Sequence, residues 1–139
     1  MIANPSSLAD LQAEWQTVVQ MRERIQALAA STFAFDASTS PAFGGILYNL
    51  PFRLAFDVLK KVLLQAKNEG LITTSQQRLD DLVESASKSL SWNNWQALRD
   101  AVRRRNEVVH EGKLLGDEQC LQDIAEVEAQ LIAWRVLTM

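Results

Sequence analysis

Apolar residues recur at helical spacing along most of this chain. From about Ser7 to Ala30 they return every three or four residues, which predicts a long amphipathic first helix. Ser7 is suited to cap it, because a serine oxygen can accept a hydrogen bond from a free backbone N–H in the first turn. The apolar stripe of this helix consists of Leu8, Leu11, Trp15, Val18, Val19, Ile25, Leu28 and Ala29.

An irregular segment follows and then the helical pattern returns. Ser, Thr, Pro and Gly punctuate residues 31–51, which predicts a connection whose scattered aromatic residues pack on the bundle or on a second subunit. Gly44-Gly45 could admit a ligand close to the backbone, although a turn that needs conformational freedom is the simpler interpretation. Four further helices are predicted, at residues 52–68, at 76–90 with Ser75 as the cap, at 92–111 with Ser91 as the cap, and from an Asp117 cap to about residue 137.

No run of alternating β-branched residues interrupts these helices. The pattern therefore predicts an all-α fold, an up-and-down helical bundle of four to five helices. The chain of 139 residues has the length of one domain and can bury a core, so we expect a single domain over residues 1–139.

Composition narrows the functional classes. The net charge of −3 excludes a generally basic nucleic-acid coat, so any nucleic-acid site must be a local patch. The single cysteine excludes an internal disulfide and a Cys-rich zinc site, and the carboxylates of Asp80, Asp81 and Glu84 lack a second set of ligands at a convincing spacing. We therefore expect no metal and no cofactor. With no signal-peptide pattern and no membrane-length apolar run, the sequence predicts a cytoplasmic protein without membrane contact.

The one concentrated basic patch lies in the fourth predicted helix. The stretch RDAVRRRNEVVHEG, residues 99–112, holds four of the fourteen Lys and Arg residues and the only histidine. At about 100° per residue, Trp95, Leu98, Val102 and Val109 form the predicted buried stripe. A polar stripe is predicted along one margin of the buried stripe, and Arg105 is predicted at the opposite margin. Asp100, Arg104 and Glu107 are predicted on the solvent side. The polar stripe consists of Arg99, Arg103, Asn106 and His110.

Polar side chains at the margin of a core need partners or a ligand. Arg99 and Arg103 lie one turn apart and repel each other unless an anion is near, and a phosphate would fit the planar guanidinium groups. Histidine titrates near neutral pH and can transfer protons. The residues alone leave two interpretations open: an anion site, or a structural arrangement in which His110 caps a helix end and the arginines balance nearby carboxylates.

The order Arg105-Asn106, three residues and then His110, near the end of the penultimate long helix, resembles the HEPN superfamily. The hallmark of that family is an Arg, four to six residues and a His, often with a polar residue directly after the Arg. The six-residue motif carries the resemblance, and the order of the helices extends it loosely over most of the chain.

The resemblance implies a metal-independent endoribonuclease, often a toxin of a toxin–antitoxin or phage-defence system. Such proteins act as homodimers in which two motifs meet at the subunit interface, so the implied partners are RNA, a second copy and an antitoxin protein. His110 would act as the acid or base, Arg105 would stabilise the scissile phosphate and Asn106 would orient the pair. The helical positions of Arg99 and Arg103, beside these three residues, suggest in addition that both arginines bind the RNA backbone.

Two other functions fit the same residues. Some HEPN proteins are non-catalytic modules that bind a nucleotide or a nucleotidyltransferase-like partner protein, and the resemblance admits that role here. A plain helical bundle that mediates protein contacts would suit the four tryptophans and the acidic fifth helix. It predicts that replacing His110 leaves every activity unchanged.

Overall fold

The computed structural model describes residues 1–31 and 47–138, and every regular element within those ranges is an α-helix. The prediction of an all-α helical bundle is confirmed. The Gly44-Gly45 pair and most of the predicted connection lie outside the described residues. The helices are α1 (Pro5–Ser31), α2 (Asn49–Asn68), α3 (Leu79–Ser85), α4 (Trp95–Glu111) and α5 (Asp117–Ala133).

Helix α2 lies at the centre of the bundle. It packs against α1, α3, α4 and α5, and half of its residues are buried. Phe52 and Phe56 are fully buried one turn apart, with their rings edge to face at a centroid distance of 5.1 Å. The burial of such large apolar side chains is the main source of stability in a domain of this size. Because α2 contacts every other helix, it fixes the face that each of them turns inward.

Several helix ends differ from the sequence prediction. Asn4 rather than Ser7 caps α1, because its Oδ1 accepts from the backbone N–H groups of Ser6 and Ser7. The third helix is shorter than predicted and begins at Leu79. Thr74 Oγ1 instead accepts from the N–H of Gln76, which holds that backbone in a turn.

The start of α4 also lies later than predicted, at Trp95. Asn94 is the cap and its Oδ1 accepts from the N–H of Ala97 at 3.2 Å. Ser91 cannot begin the helix there because its carbonyl oxygen accepts from Trp134 Nε1 at 2.6 Å and from Gln130 Nε2 at 3.3 Å. These bonds hold the segment before α4 against α5.

The last helix ends earlier than predicted, at Ala133. Arg135 then adopts a left-handed backbone conformation with φ 61°, which turns the chain out of the helix. The turn allows both Trp134 and Val136 to be buried, whereas a continuous helix would have buried only one of them. The helix begins after Gly116 rather than after an Asp117 cap. Within the described ranges, no helix is both long enough and apolar enough to cross a membrane.

Candidate functional site

The buried face of α4 is rotated from the face predicted on the wheel. Leu98, Ala101, Val102 and Val108 are buried, whereas Trp95 and Val109 are only half-buried. The cause is that α4 packs against α5 as well as against α2 and α3. Helix α5 covers a side of α4 that the sequence pattern assigned to solvent.

Arg104 shows this rotation most clearly. The wheel predicted it on the solvent side, and that prediction is wrong. Its Nε and Nη2 donate to the two carboxylate oxygens of Asp123 on α5, each at 2.8 Å. The Asp123 side chain is 1% exposed, and it also accepts a hydrogen bond from Gln119. Asp123 could not be singled out from the sequence, because nothing in the pattern of an acidic helix distinguishes the aspartate that turns inward.

Arg105 is in line with the buried residues of α4 rather than at their margin, which corrects the helical-wheel prediction, and its side chain is half-buried. Its Nη1 donates to Asn106 Oδ1 at 3.1 Å, so two residues of the motif are in direct contact. Its Nε is buried and has no hydrogen-bond partner among the described residues. Burial lowers the pKa of the Arg105 guanidinium, against the opposing effect of Asp57 on α2. A buried donor without an acceptor is costly, and such atoms mark places where a ligand or a water completes the structure.

Three of the predicted residues line one cavity between α3 and α4. Arg99, Arg103 and Asn106 face a space of about 240 Å³. Asp80 and Glu84 of α3 line its opposite side. Asn106 therefore belongs both to the cavity and, through its hydrogen bond, to the Arg105 environment. Three of the four residues of the predicted polar stripe thus line one space, whereas His110 does not line it.

The two cavity arginines are paired with carboxylates of the chain itself. Arg99 Nε lies 3.0 Å from Glu84 Oε1, with both side chains 53% exposed. Arg103 pairs with Asp100, one turn earlier on α4. The repulsion expected between the two arginines is thus relieved without an external anion. Exposed pairs of this kind contribute only about 0–1 kcal/mol, so these pairs add little to the stability of the fold.

His110 occupies a different environment from Arg105. It is exposed in the last turn of α4 and has no hydrogen-bond or ion-pair partner in the described part of the chain. His110 follows Arg105 by five residues, and at about 100° per residue their side chains point roughly 140° apart around the helix axis. The two side chains therefore do not meet within one chain, and the interpretation that they bracket the buried face is wrong.

The loop after His110 is held firmly. Gly112 ends α4 in the left-handed conformation with φ 67°. Asn49 at the start of α2 donates to the carbonyl oxygen of Leu115 at 3.0 Å and accepts from its N–H at 3.1 Å. These contacts bring the beginning of α2 to the same end of the molecule as His110. Leu50 and Leu114, the neighbours of this pair, are the two most exposed large apolar residues described, at 53% and 57%.

The connection predicted to pack on the bundle or on a second subunit, residues 31–51, is described only at its ends. Tyr48 is buried and Leu47 is half-buried, and both pack on the core of their own chain. Among the residues that the structure covers, no three His, Cys, Asp or Glu side chains form a group that could hold a metal ion.

No model of a known protein family matches this chain, and no curated protein or solved structure matches it either. The HEPN assignment therefore stays a prediction from the Arg105–His110 motif.

Proposed function

We propose that the protein is a metal-independent endoribonuclease of a toxin–antitoxin or phage-defence system, and that it acts as a homodimer. The observation that carries the proposal is the position of Asn106. Its side chain accepts from Arg105 and lines the same cavity as Arg99 and Arg103. Each of these guanidinium groups offers planar N–H donors of the kind that bind phosphate oxygens.

We propose a dimer because the side chains of Arg105 and His110 do not meet within one chain. Catalysis needs the proton-transfer group and the phosphate-binding group at the same scissile bond. In one chain His110 is exposed and half-buried Arg105 points roughly 140° away from it around the helix, so a second copy must supply one of them. Exposed His110 and the exposed leucines Leu50 and Leu114 lie at one end of the molecule, where a twofold interface would bury apolar surface.

The chemistry is an internal transesterification. A base, proposed to be His110 of one subunit, removes the proton from a ribose 2′-OH, and the 2′-oxygen attacks the adjacent phosphorus. The bond from phosphorus to the 5′-oxygen breaks, and an acid returns a proton to that oxygen. Arg105 would stabilise the charge on the pentavalent phosphate, and Asn106 would hold Arg105 in place. The products are a 2′,3′-cyclic phosphate and a free 5′-OH.

A non-catalytic HEPN module that binds a nucleotide or a nucleotidyltransferase-like partner protein is the second candidate. One observation favours it: Arg105 and His110 diverge in the single chain, and a binding module does not require them to meet. It predicts that the protein binds its partner as a monomer and leaves RNA intact.

The test is cleavage of a mixed-sequence RNA by purified protein in EDTA, with wild type beside His110→Ala and Arg105→Ala. A matched control is Lys61→Ala, because Lys61 is a basic residue in an exposed ion pair, with Glu14, away from the site. All four proteins are first compared by circular dichroism. The proposal predicts cleavage by wild type and Lys61→Ala, 2′,3′-cyclic phosphate ends, and loss of at least about a hundredfold in both site variants.

Other results would contradict the proposal. Equal cleavage by all four proteins would show that the activity belongs to a contaminant. Intact RNA with every protein, together with a monomer by light scattering, would favour the non-catalytic module. Cleavage that EDTA abolishes would require a metal that the proposed chemistry does not use.

A further inference from the structure

The part of α4 that carries Arg105 and Asn106 has no fully buried residue of its own. Val102 and Val108 are buried, but residues 103–107 between them are half-buried or exposed. Apolar contact is non-directional, so the two valines hold this segment against the bundle but define its rotation about the helix axis only coarsely. The orientation of Arg105 therefore needs a further, directional contact.

Arg105 and Asn106 do not supply that contact themselves. Arg105 Nη1 donates to Asn106 Oδ1 on the same helix, and Arg105 Nε is buried without an acceptor. Asp57 and Asp80 attract the charge of Arg105, but neither forms an ion pair with it. Among the residues that the structure describes, no hydrogen bond joins Arg105 or Asn106 to another helix. Their position must be set by a neighbour on α4.

Arg104 makes the directional contact from the adjacent position. Its Nε donates to Oδ2 of Asp123 on α5, and its Nη2 donates to Oδ1. Two parallel bonds between a planar guanidinium and a planar carboxylate fix the orientation of the two groups as well as their distance. The pair of Arg99 with Glu84 also joins α4 to another helix, but both of its side chains are exposed, so it restrains α4 little.

The Asp123 carboxylate is held in place from its own helix. Its side chain is 1% exposed, and Gln119, one turn earlier on α5, donates to Oδ1 at 3.0 Å. With donors from both helices and almost no access to water, the carboxylate cannot turn to follow a rotation of α4. Arg104 in turn uses its Nε and Nη2 inside the protein, which makes it a link between helices rather than a further ligand for phosphate.

The pair allows α4 to turn only slightly. A helix with its side chains has a radius of about 5–6 Å, so a rotation of about 10° moves a group at that radius by about 1 Å. A hydrogen bond of 2.8 Å that lengthens by about 1 Å is broken. Arg105 follows Arg104 directly on the same helix, so the same limit applies to it. A displacement of about 1 Å at a reacting centre can cost roughly a hundredfold in rate.

We propose that Arg104 and Asp123 are positioning residues of the ribonuclease: their bidentate contact fixes the rotation of α4 that directs Arg105 and Asn106 toward the scissile phosphate. This inference rests on the proposed ribonuclease function and adds to it two residues that do not touch the RNA. The role of the pair is geometric. A replacement that restores stability without the bidentate contact therefore does not restore activity.

The variants separate positioning from stability. Arg104→Lys keeps the positive charge but loses the planar fork. The double variant Arg104→Met with Asp123→Leu leaves no charge unpaired and keeps apolar packing between the helices. Val127→Ala is the control for stability, because Val127 lies in the core on the same helix α5 and its truncation leaves the pair intact. Lys61→Ala is the control for charge.

The first measurement is single-turnover cleavage of a mixed-sequence RNA in EDTA, below the melting temperature of every variant. We expect the rate constant at saturating protein to fall at least about tenfold in Arg104→Lys and in the double variant. The protein concentration that gives half of the maximal rate should stay within about threefold of wild type, because the lost interaction acts in the transition state. Val127→Ala should melt at a lower temperature and cleave at the wild-type rate, whereas the double variant should melt close to wild type and cleave slowly.

The second measurement does not depend on cleavage. The buried Nε–H of Arg105 should give a ¹H–¹⁵N NMR signal that exchanges slowly with water, identified by its loss in Arg105→Lys. We expect this signal in wild type, Val127→Ala and Lys61→Ala. In Arg104→Lys and in the double variant it should broaden or disappear, because the rotation of α4 is no longer fixed and the Nε–H reaches water.

Three results would overturn the inference. These are the wild-type rate in the double variant, the wild-type rate in Arg104→Lys, or an Arg105 signal that is unchanged in both. If the double variant failed to fold, Arg104→Lys would decide, since it retains the charge.

The two measurements also distinguish this inference from the proposed function. An Arg105 signal that depends on the pair, together with intact RNA in wild type, would support the positioning and reject the ribonuclease. Cleavage by wild type with an Arg105 signal unaffected by either variant would reject the positioning and leave the ribonuclease intact.

Discussion

Arg104 and Asp123 join α4 to α5 through two parallel hydrogen bonds of 2.8 Å each. The hydrogen bond to Asp123 is the largest of the causes that raise the pKa of the Arg104 guanidinium above its ordinary value. Because Asp123 is buried and Arg104 precedes Arg105 directly, the pair fixes the rotation of α4 about its axis. It thereby turns Arg105 toward α2 and leaves Arg99 and Arg103 exposed.

Removing the carboxylate should destabilise the fold. In Asp123→Ala the Arg104 guanidinium stays at the helix interface without its partner, and breaking a buried ion pair costs about 3–5 kcal/mol. The Arg104 side chain is 30% exposed and can partly reach water. We therefore expect a loss of about 3 kcal/mol in the free energy of unfolding, measured by urea denaturation.

A matched control is the exposed pair on the same helix. Asp100→Ala removes the carboxylate that pairs with Arg103, and we expect a loss below about 1 kcal/mol. Replacing both members of the buried pair, as in Arg104→Met with Asp123→Leu, should recover most of the stability because no buried charge is left alone. Equal losses in Asp123→Ala and Asp100→Ala would show that burial does not strengthen the α4–α5 pair.

The same pair shows how far the sequence could predict the structure. Helical spacing gave the number and order of the helices, because each buries an apolar stripe with a 3.6-residue period. It did not give the rotation of α4, because the predicted buried stripe leaves out Ala101 and Val108, which are both buried in the structure. Asp123 lies on a different helix, and no local pattern links it to Arg104.

The candidate site was predictable to a similar degree. The stripe of Arg99, Arg103 and Asn106 does line one cavity, since residues three and four apart share a helix face. The pairing of Arg99 with Glu84 could not be assigned, because it depends on how α3 packs against α4. The helical pattern assigns Trp95 to the core, but the structure has it half-buried, like Trp92.

The end of α4 depends on the backbone conformation of Gly112. Its φ is 67°, and a Cβ built on it would meet nothing within 4 Å, so any cost of a side chain comes from the backbone alone. We expect Gly112→Ala to lower the free energy of unfolding by about 1–2 kcal/mol. Gly112→Asn should lose less, because asparagine adopts this conformation more readily. Thermal denaturation of both variants tests this, and equal losses would mean that crowding rather than conformation sets the cost.

Cys120 should be chemically inert in the folded protein. It is fully buried, and burial is the main cause that raises the pKa of its thiol to about 12. The thiolate is the reactive form, so Ellman's reagent at pH 8 should not label the native protein and should label it rapidly in guanidinium chloride. Fast labelling of the native protein would show that the α5 environment opens readily.

The raised pKa of Cys120 also predicts a dependence of stability on alkaline pH. The thiol in the unfolded chain ionises near its ordinary value of 9.0, whereas in the folded chain it stays protonated up to about 12. The stability contributed by the protonated thiol is therefore complete below pH 9.0 and is lost as pH rises toward 12. Cys120→Ala should show a smaller loss between pH 8 and pH 10 in urea denaturation. Equal losses in the two proteins would contradict the shift.

Glu69 should make the stability depend on acidic pH in the opposite sense. Its carboxylate accepts from Gln65 Nε2 at 2.8 Å and from the N–H of Ala3 at 2.6 Å, and these bonds hold its pKa below the ordinary 4.5. This contribution is present above pH 4.5 and is lost as pH falls through the lowered pKa. The melting temperature of Glu69→Gln should therefore fall less between pH 7 and pH 3 than the melting temperature of wild type does. Glu23→Gln is the control, because Glu23 is exposed on α1 and makes no side-chain hydrogen bond within the described ranges. If both variants followed the wild-type pH profile, the contact of Glu69 with Ala3 would not persist in solution.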